Sequence, residues 1–266
     1  MTEAHEPPRR PNPSPKELEE VSWRVLMGRA PEAKWGHRVL SRVPSAPHCK
    51  LCAAPFEGPL VPLLRVMGRS RWPANPKYCR NCFHQLETYR AGAEIPATIL
   101  FADVRGSTAL AEGLSPREFR DRMDAFFAGA TQVLIEADAM VDKYVGDEVM
   151  AIFIPGMAGA EHASRAIEAG RALLALRDHG LPVGAGLSSG VTFVGAVGAG
   201  EKVDMTAMGD TVNVAARLAS AAGAGELLIT VAAAEAAHLG ADSYEHRSLE
   251  LKGKSQLTEV LVIQGS

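Results

Sequence analysis

The sequence predicts an α+β fold: a ferredoxin-like βαββαβ domain with added elements, preceded by a small metal-stapled N-terminal module. Three observations point there. From residue 95 onward, short β-rich apolar runs alternate with helical patterns in the order β-α-β-β-α-β. All four cysteines fall in the first third of the chain, as two CxxC pairs. The 266 residues, 47% hydrophobic and 22% charged, suffice for one large domain and a small one.

Taken in order, residues 1–15 carry five prolines and no apolar pattern, which predicts a disordered tail. From Lys16 to Arg29 the spacing of Leu18, Val21, Val25 and Leu26 predicts a helix. Residues 30–90 are rich in Pro, Gly and Arg, as in a module whose bound metal replaces a core too small to hold it together. Residues 16–92 are therefore read as a helix plus a four-cysteine module, and 93–266 as the second domain. There, Ala97–Val104 is a strand ending on Asp103. Ser115-Pro116 with Glu118 opens a helix as a capping box, with Pro at the first helical position. Phe119, Met123, Phe126, Phe127, Ala130, Val133 and Leu134 continue it at helical spacing. Met140–Tyr144 and Val149–Ile154 read as a hairpin about the turn Val145–Glu148. A helix over Ala158–Arg177 follows, then strands at Val183–Ser189 and Thr192–Val197, and a helix over Thr211–Ala221. Leu227–Thr230, Ser243–Leu251 and Thr258–Ile263 complete an antiparallel sheet expected to carry its helices on one face.

Charge excludes some functions. Residues 1–92 hold 15 Lys/Arg against 8 Asp/Glu, while residues 93–266 hold 13 against 23. An acidic domain is a poor binder of nucleic acid, which needs cations to neutralise phosphates. No apolar run approaches the ~20 residues needed to span a bilayer, and the first residues lack the apolar core of an export signal. The expected location is the cytoplasm.

Four blocks carry chemistry. In FADVRGST (101–108), Asp103 ends a buried strand beside Gly106-Ser107-Thr108, a place able to hold a divalent cation and a phosphate together. In KYVGDEVMAIF (143–153), Asp147 sits at a hairpin tip that a ferredoxin-like sheet lays beside the first strand. Two carboxylates converging on a pair of cations suit in-line attack on a nucleoside triphosphate, a design shared by polymerase palms and diguanylate cyclases. In VDMTAMGDTVNVAARLAS (203–220), Asn213 and Arg217 lie four residues apart on one helix face. An Arg there can spread phosphate charge, and an Asn can orient a ribose. The fourth block is the basic turn Leu251-Lys252-Gly253-Lys254.

In this order and at these separations, FADVRGST, DKYVGDEVMAIF, MGDTVNVAARL and LKGK resemble the class III adenylyl/guanylyl cyclase catalytic domain across roughly residues 95–264. The resemblance implies that Asp103 and Asp147 bind two Mg²⁺ or Mn²⁺ ions per active site. It implies that Lys143 and Thr206 select the base, Thr206 standing where many members have Asp and a bacterial-type subgroup has Thr. It further implies that Asn213 and Arg217 stabilise the transition state, that Lys252 binds the triphosphate, and that a homodimer shares its sites. A Lys can donate to adenine N1 and a Thr hydroxyl can accept from the 6-amino group, so the expected reaction is ATP to 3′,5′-cyclic AMP and pyrophosphate. The alternatives carried with it are a guanylate cyclase and a non-catalytic nucleotide-binding regulatory protein. A third, a metal-dependent adaptor built on the N-terminal module, is disfavoured by the acidic second half.

HCKLCAAPF (48–56) and KYCRNCF (77–83) place Cys49, Cys52, Cys79 and Cys82 as two thiolate pairs with 26 residues between them. Two such turns make a tetrahedral S4 site, expected to hold structural zinc, although the same ligands suit an iron–sulfur cluster or redox thiols. His48 and His84 adjoin the motifs and are read as neighbours of the site, not ligands.

Overall fold

A computed structural model of the chain describes residues 13–43, 47–176, 181–200, 202–254 and 256–265. The tail expected over 1–15 lies outside the described residues except for its last three, which belong to a helix start. Ser14 caps α1 (Pro15–Leu26): its hydroxyl accepts from Glu17 N–H, while the Glu17 carboxylate takes the Ser14 N–H. The rest of the first segment holds α2 (Pro31–Leu40), α3 (Val61–Val66), the hairpin β1 (Arg71–Trp72) and β2 (Asn75–Cys79), and α4 (His84–Tyr89). Its small core is aromatic. Trp72 stacks on Phe83 at 4.3 Å between ring centroids, and Tyr78 meets Phe83 edge-on at 6.3 Å.

The elements that follow are β3 (Gly92–Val104), α5 (Ser107–Gly113), α6 (Pro116–Glu136), β4 (Met140–Val145), β5 (Glu148–Phe153), α7 (Pro155–Ala158) and α8 (His162–Leu174). Then come β6 (Val183–Ala199), β7 (Lys202–Met208), α9 (Asp210–Ala221), β8 (Glu226–Thr230), α10 (Val231–Ala236), β9 (Glu245–Leu249) and β10 (Thr258–Gln264). They form an eight-stranded sheet in the order β4-β5-β3-β6-β8-β10-β9, with β7 paired to the outer half of β6. The ladders are antiparallel except for β6 with β8. The α+β class and the capping box that opens α6 agree with the sequence.

Two expectations are corrected. Gly190-Val191 reads as the break between two strands, yet β6 runs unbroken for 17 residues, because β3 pairs with it from Val183 to Gly195 and leaves no unpaired backbone at which to turn. Nor are the helices confined to one face. Leu100, Ala102 and Val104 of β3 pack with Phe126 of α6 and Ile167 of α8, while Ile95, Ile99 and Phe101 pack toward α9 and the N-terminal segment on the other face. The alternation follows from the two-residue period of a strand. β3 is apolar on both faces because both are covered.

The cysteine segment and this second face share one hydrophobic cluster, in which Tyr78, Cys79 and Phe83 join Ile99, Met140, Met150 and Ala215. Polar contacts reinforce the seam. Val141 N–H donates to Ala74 C=O at 3.0 Å, and Asn75 Nδ2 to Ala139 C=O at 2.8 Å. Asp138, with φ of 63° and its side chain 4% exposed, binds Lys50 at 2.6 Å, Lys77 at 3.1 Å and Arg165 at 2.7 Å. Among the described residues no helix is long and apolar enough to cross a membrane.

Candidate functional site

Asp103 reaches its position because β3 ends there, with Glu148 of β5 opposite it on one edge and Gly184 of β6 on the other. The β4–β5 turn folds back so that Val104 N–H donates to Asp147 C=O at 3.4 Å. The two carboxylates singled out in the sequence are therefore on adjoining strand ends. Arg105 donates to Asp103 Oδ2, and also to the carbonyls of Ser220 at 3.2 Å and Ala222 at 3.3 Å at the end of α9. Among the described residues, Asp103 Oδ1 is buried and has no partner. A buried carboxylate oxygen without a partner, on a strand end that adjoins the turn carrying Asp147, fits a hard cation with oxygen ligands. Burial pushes the Glu148 carboxyl above its usual range, with the neighbouring Asp147 charge adding to it.

Lys143 and Thr206 come from strands with three others between them, yet they meet. The sheet coils enough for β7 to reach the edge strand β4, and Lys143 Nζ donates to Thr206 Oγ1 at 3.2 Å. Thr206 donates in turn to Asp142 Oδ2, which lies 3.4 Å from Lys143 Nζ. A bulge in β4 between Val141 and Lys143 brings the consecutive residues Asp142 and Lys143 to the same partner. Burial raises the Asp142 carboxyl above its ordinary range, while the Thr206 hydroxyl and the Lys143 ammonium pull it down. Asp142 and Lys143 open on a cleft of about 360 Å³, lined also by Tyr144, Met205 and, from the cysteine segment, Trp72 and Arg80.

Asn213 and Arg217 lie one turn apart on α9, Asn213 exposed and Arg217 half-buried. The LKGK turn closes on them. Gly253, at φ of 81°, leaves Arg217 Nη2 3.3 Å from the point a Cβ would occupy, so a side chain there would crowd the guanidinium. Lys252 stands exposed beside it, and Lys254 pins the turn to Asp210 of α9 at 2.5 Å. Three groups result: Asp103 with Asp147, Lys143 with Thr206, and Asn213 and Arg217 with the Lys252 turn. Sequence reasoning missed Arg105 and Asp142. Each stands within two residues of a recognised one, in DVR and VDK, which was the available signal.

In the first segment the four thiols converge, all within 4.8 Å of one another. Cys49 and Cys82 are 3.9 Å apart, Cys52 and Cys79 3.5 Å, and Cys79 and Cys82 3.4 Å. Metal–sulfur bonds of about 2.3 Å at tetrahedral angles give edges of about 3.8 Å, so the set fits an S4 metal site. Two N–H donors already point at sulfur: Cys79 N–H to Cys49 at 3.2 Å and Arg69 Nη1 to Cys52 at 3.2 Å. Hydrogen bonds from Cys52, Cys79 and Cys82 hold the Cys49 thiol far below the usual thiol range. His48 and His84 turn away, to the Val43 carbonyl and the Thr88 hydroxyl.

A family model described as the adenylate and guanylate cyclase catalytic domain matches residues 91–264. An adenylate cyclase of Anabaena cylindrica is 36% identical over 133 residues, 46% of this chain and 26% of its own length. Adenylate cyclase 1 of Rhizobium meliloti is 34% identical over 140 residues, 48% of this chain and 21% of its own. The chain thus spans about a quarter or less of the length of these curated relatives. Among solved structures, a guanylyl cyclase superposes with a TM-score of 0.60 at 26% identity, covering 65% of this chain and 94% of that one. The adenylyl cyclase CyaB from P. aeruginosa gives 0.58 at 28% identity, covering 66% and 97%. Both base preferences occur among these neighbours, so the choice of base rests on this chain's own residues. The family match runs from the start of β3 to the end of β10 and takes in the whole eight-stranded sheet, and the chain belongs to the family of adenylate and guanylate cyclase catalytic domains.

Proposed function

We propose that the chain is an adenylate cyclase, converting ATP to 3′,5′-cyclic AMP and pyrophosphate in the cytoplasm at sites shared between two copies of itself. The observation that carries the choice of ATP is the contact of Lys143 with Thr206: an ammonium donor beside a hydroxyl acceptor matches N1 and the 6-amino group of adenine. Asp103 and Asp147 would hold the divalent cations, Mg²⁺ or Mn²⁺, which supply Lewis-acid activation of the ribose 3′-hydroxyl and charge for the triphosphate. Asn213 orients the ribose, Arg217 takes up the charge that develops on the α-phosphate, and Lys252 binds the triphosphate tail. The three groups come from distinct parts of one chain, and a two-fold dimer lets the acids of one copy face the α9 and Lys143 groups of its partner.

Residues 16–92 form, on this reading, a zinc-stapled module seated on the cyclase domain of residues 93–266. The test is direct. Purified chain is mixed with ATP or GTP and Mg²⁺ or Mn²⁺, and the cyclic nucleotide is quantified. Cyclic AMP made in clear preference to cyclic GMP supports the proposal. Preference for GTP, or binding of ATP without turnover, refutes it.

A further inference from the structure

Asp142 has no place in the reading above, yet its side chain is enclosed, 2% exposed against 42% for Lys143. A carboxylate in such a place is costly unless its partners use it. Its partner is the Thr206 hydroxyl, which donates its single proton to Asp142 Oδ2 while accepting from Lys143 Nζ.

We propose that Asp142 is a specificity-determining positioning residue, which fixes the polarity of Thr206 so that the site takes a base bearing a 6-amino group and refuses one bearing a 6-carbonyl. This inference rests on the reading of Lys143 and Thr206 as the base-recognition pair. A free hydroxyl is a rotor with one proton and two lone pairs, and it reads an amino group and a carbonyl equally well. An ionised carboxylate, the form that the Lys143 ammonium 3.4 Å away favours, only accepts. Bonded to Asp142, Thr206 has no proton left to offer, and the lone pair that Lys143 leaves free can only accept. Adenine presents an N–H₂ there. Guanine or hypoxanthine presents an oxygen, so two acceptors would face each other with no proton between them, a mismatch that sites built on hydrogen bonds reject strongly. The β4 bulge is the backbone device that makes this possible, because without it Asp142 and Lys143 would point to opposite faces of the strand.

The experiment compares kcat/KM for ATP, GTP and inosine triphosphate on the full chain, for the wild type and for Asp142→Asn and Thr206→Ala. The wild type should prefer ATP over inosine triphosphate by about tenfold or more, since these bases differ at the 6-substituent and at N1, which carries a hydrogen in hypoxanthine, and not in a 2-amino group. Asp142→Asn can donate to Thr206 and turn its proton outward, so the ATP/GTP ratio should fall by about tenfold or more while Lys143 remains in place. A merely structural Asp142 would lower both nucleotides equally and leave the ratio alone. A ratio unchanged in Asp142→Asn but lowered in Thr206→Ala overturns this inference and leaves the Lys143–Thr206 reading standing. A ratio unchanged in both overturns that reading, and this inference with it. Should Asp142→Asn not fold, the wild-type comparison decides: less than a twofold preference for ATP over inosine triphosphate refutes the locked hydroxyl.

Discussion

Replacing Gly186 by Ala should cripple turnover through a contact that touches no substrate. Gly186 lies mid-sheet in β6, paired with Phe101 on one side and Leu228 on the other, and α9 crosses directly over it. A Cβ built there would stand 2.1 Å from Ala219 N, 2.4 Å from Ala215 O and 2.6 Å from Leu218 C, where ordinary contact begins at 3.4 Å. These atoms are helix backbone, so no side chain can swing aside. β6 is held by ladders on both edges, so the helix yields, by about 1.3 Å if the whole gap opens along the contact. Asn213 and Arg217 ride on that helix. A misplacement of about 1 Å in a catalytic group costs roughly 100-fold in rate, and overpacking of this kind costs about 1–3 kcal/mol of stability. The assay is kcat at saturating nucleotide and metal, with urea denaturation of the same sample. Gly113→Ala, where a Cβ meets nothing within 4 Å, is the control and should behave as wild type. A folded Gly186→Ala protein with kcat within threefold of wild type would refute the reasoning.

Other outcomes follow from the same contacts. Asp147→Ala and Arg217→Ala should each be inactive as homodimers, and after free subunit exchange their mixture should recover about a quarter of wild-type activity, since half the dimers are mixed and each keeps one intact site; a mixture that exchanges subunits yet stays inactive refutes the shared site. Elemental analysis should find one zinc per chain, and chelation should expose Trp72 and Tyr78 to fluorescence quenchers, because the thiolates staple that core; a chain free of metal, or one holding iron and sulfide, overturns the zinc assignment. Asp138→Asn keeps a residue tolerant of φ 63° but removes the charge that three cations share. With the cations 30–45% exposed and able to recover water, the loss should be about 2–3 kcal/mol by urea denaturation, below the 3–5 kcal/mol of a fully buried pair; a loss under about 0.5 kcal/mol would place the coupling elsewhere. Arg247 holds the Glu226 carboxyl down to about 2 from 4.5. The stability this pair contributes is complete above pH 4.5 and lost as pH falls toward 2, and Glu226→Gln should remove that part of the acid dependence.

Much of this molecule was written in short-range pattern. The capping boxes at Ser14 and Ser115 act within four residues, and both helices start on them. The apolar run of β3, the hairpin of β4 and β5 and the paired CxxC motifs are likewise local, because strand period, turn chemistry and ligand spacing are fixed within one element. What the sequence alone did not determine depends on distant segments meeting. β6 runs straight through a stretch that reads as a break because β3 lies beside it and takes up its hydrogen bonds. The cysteine segment shares a core with the second sheet face, a matter of which apolar surfaces meet, to which period and spacing are blind. Asp142 bonds a threonine 64 residues away only because the sheet coils and β4 bulges at that residue. A one-residue irregularity redirects a side chain without changing the local pattern of residue types, so the pairing register of the folded sheet is what assigns Asp142 to Thr206.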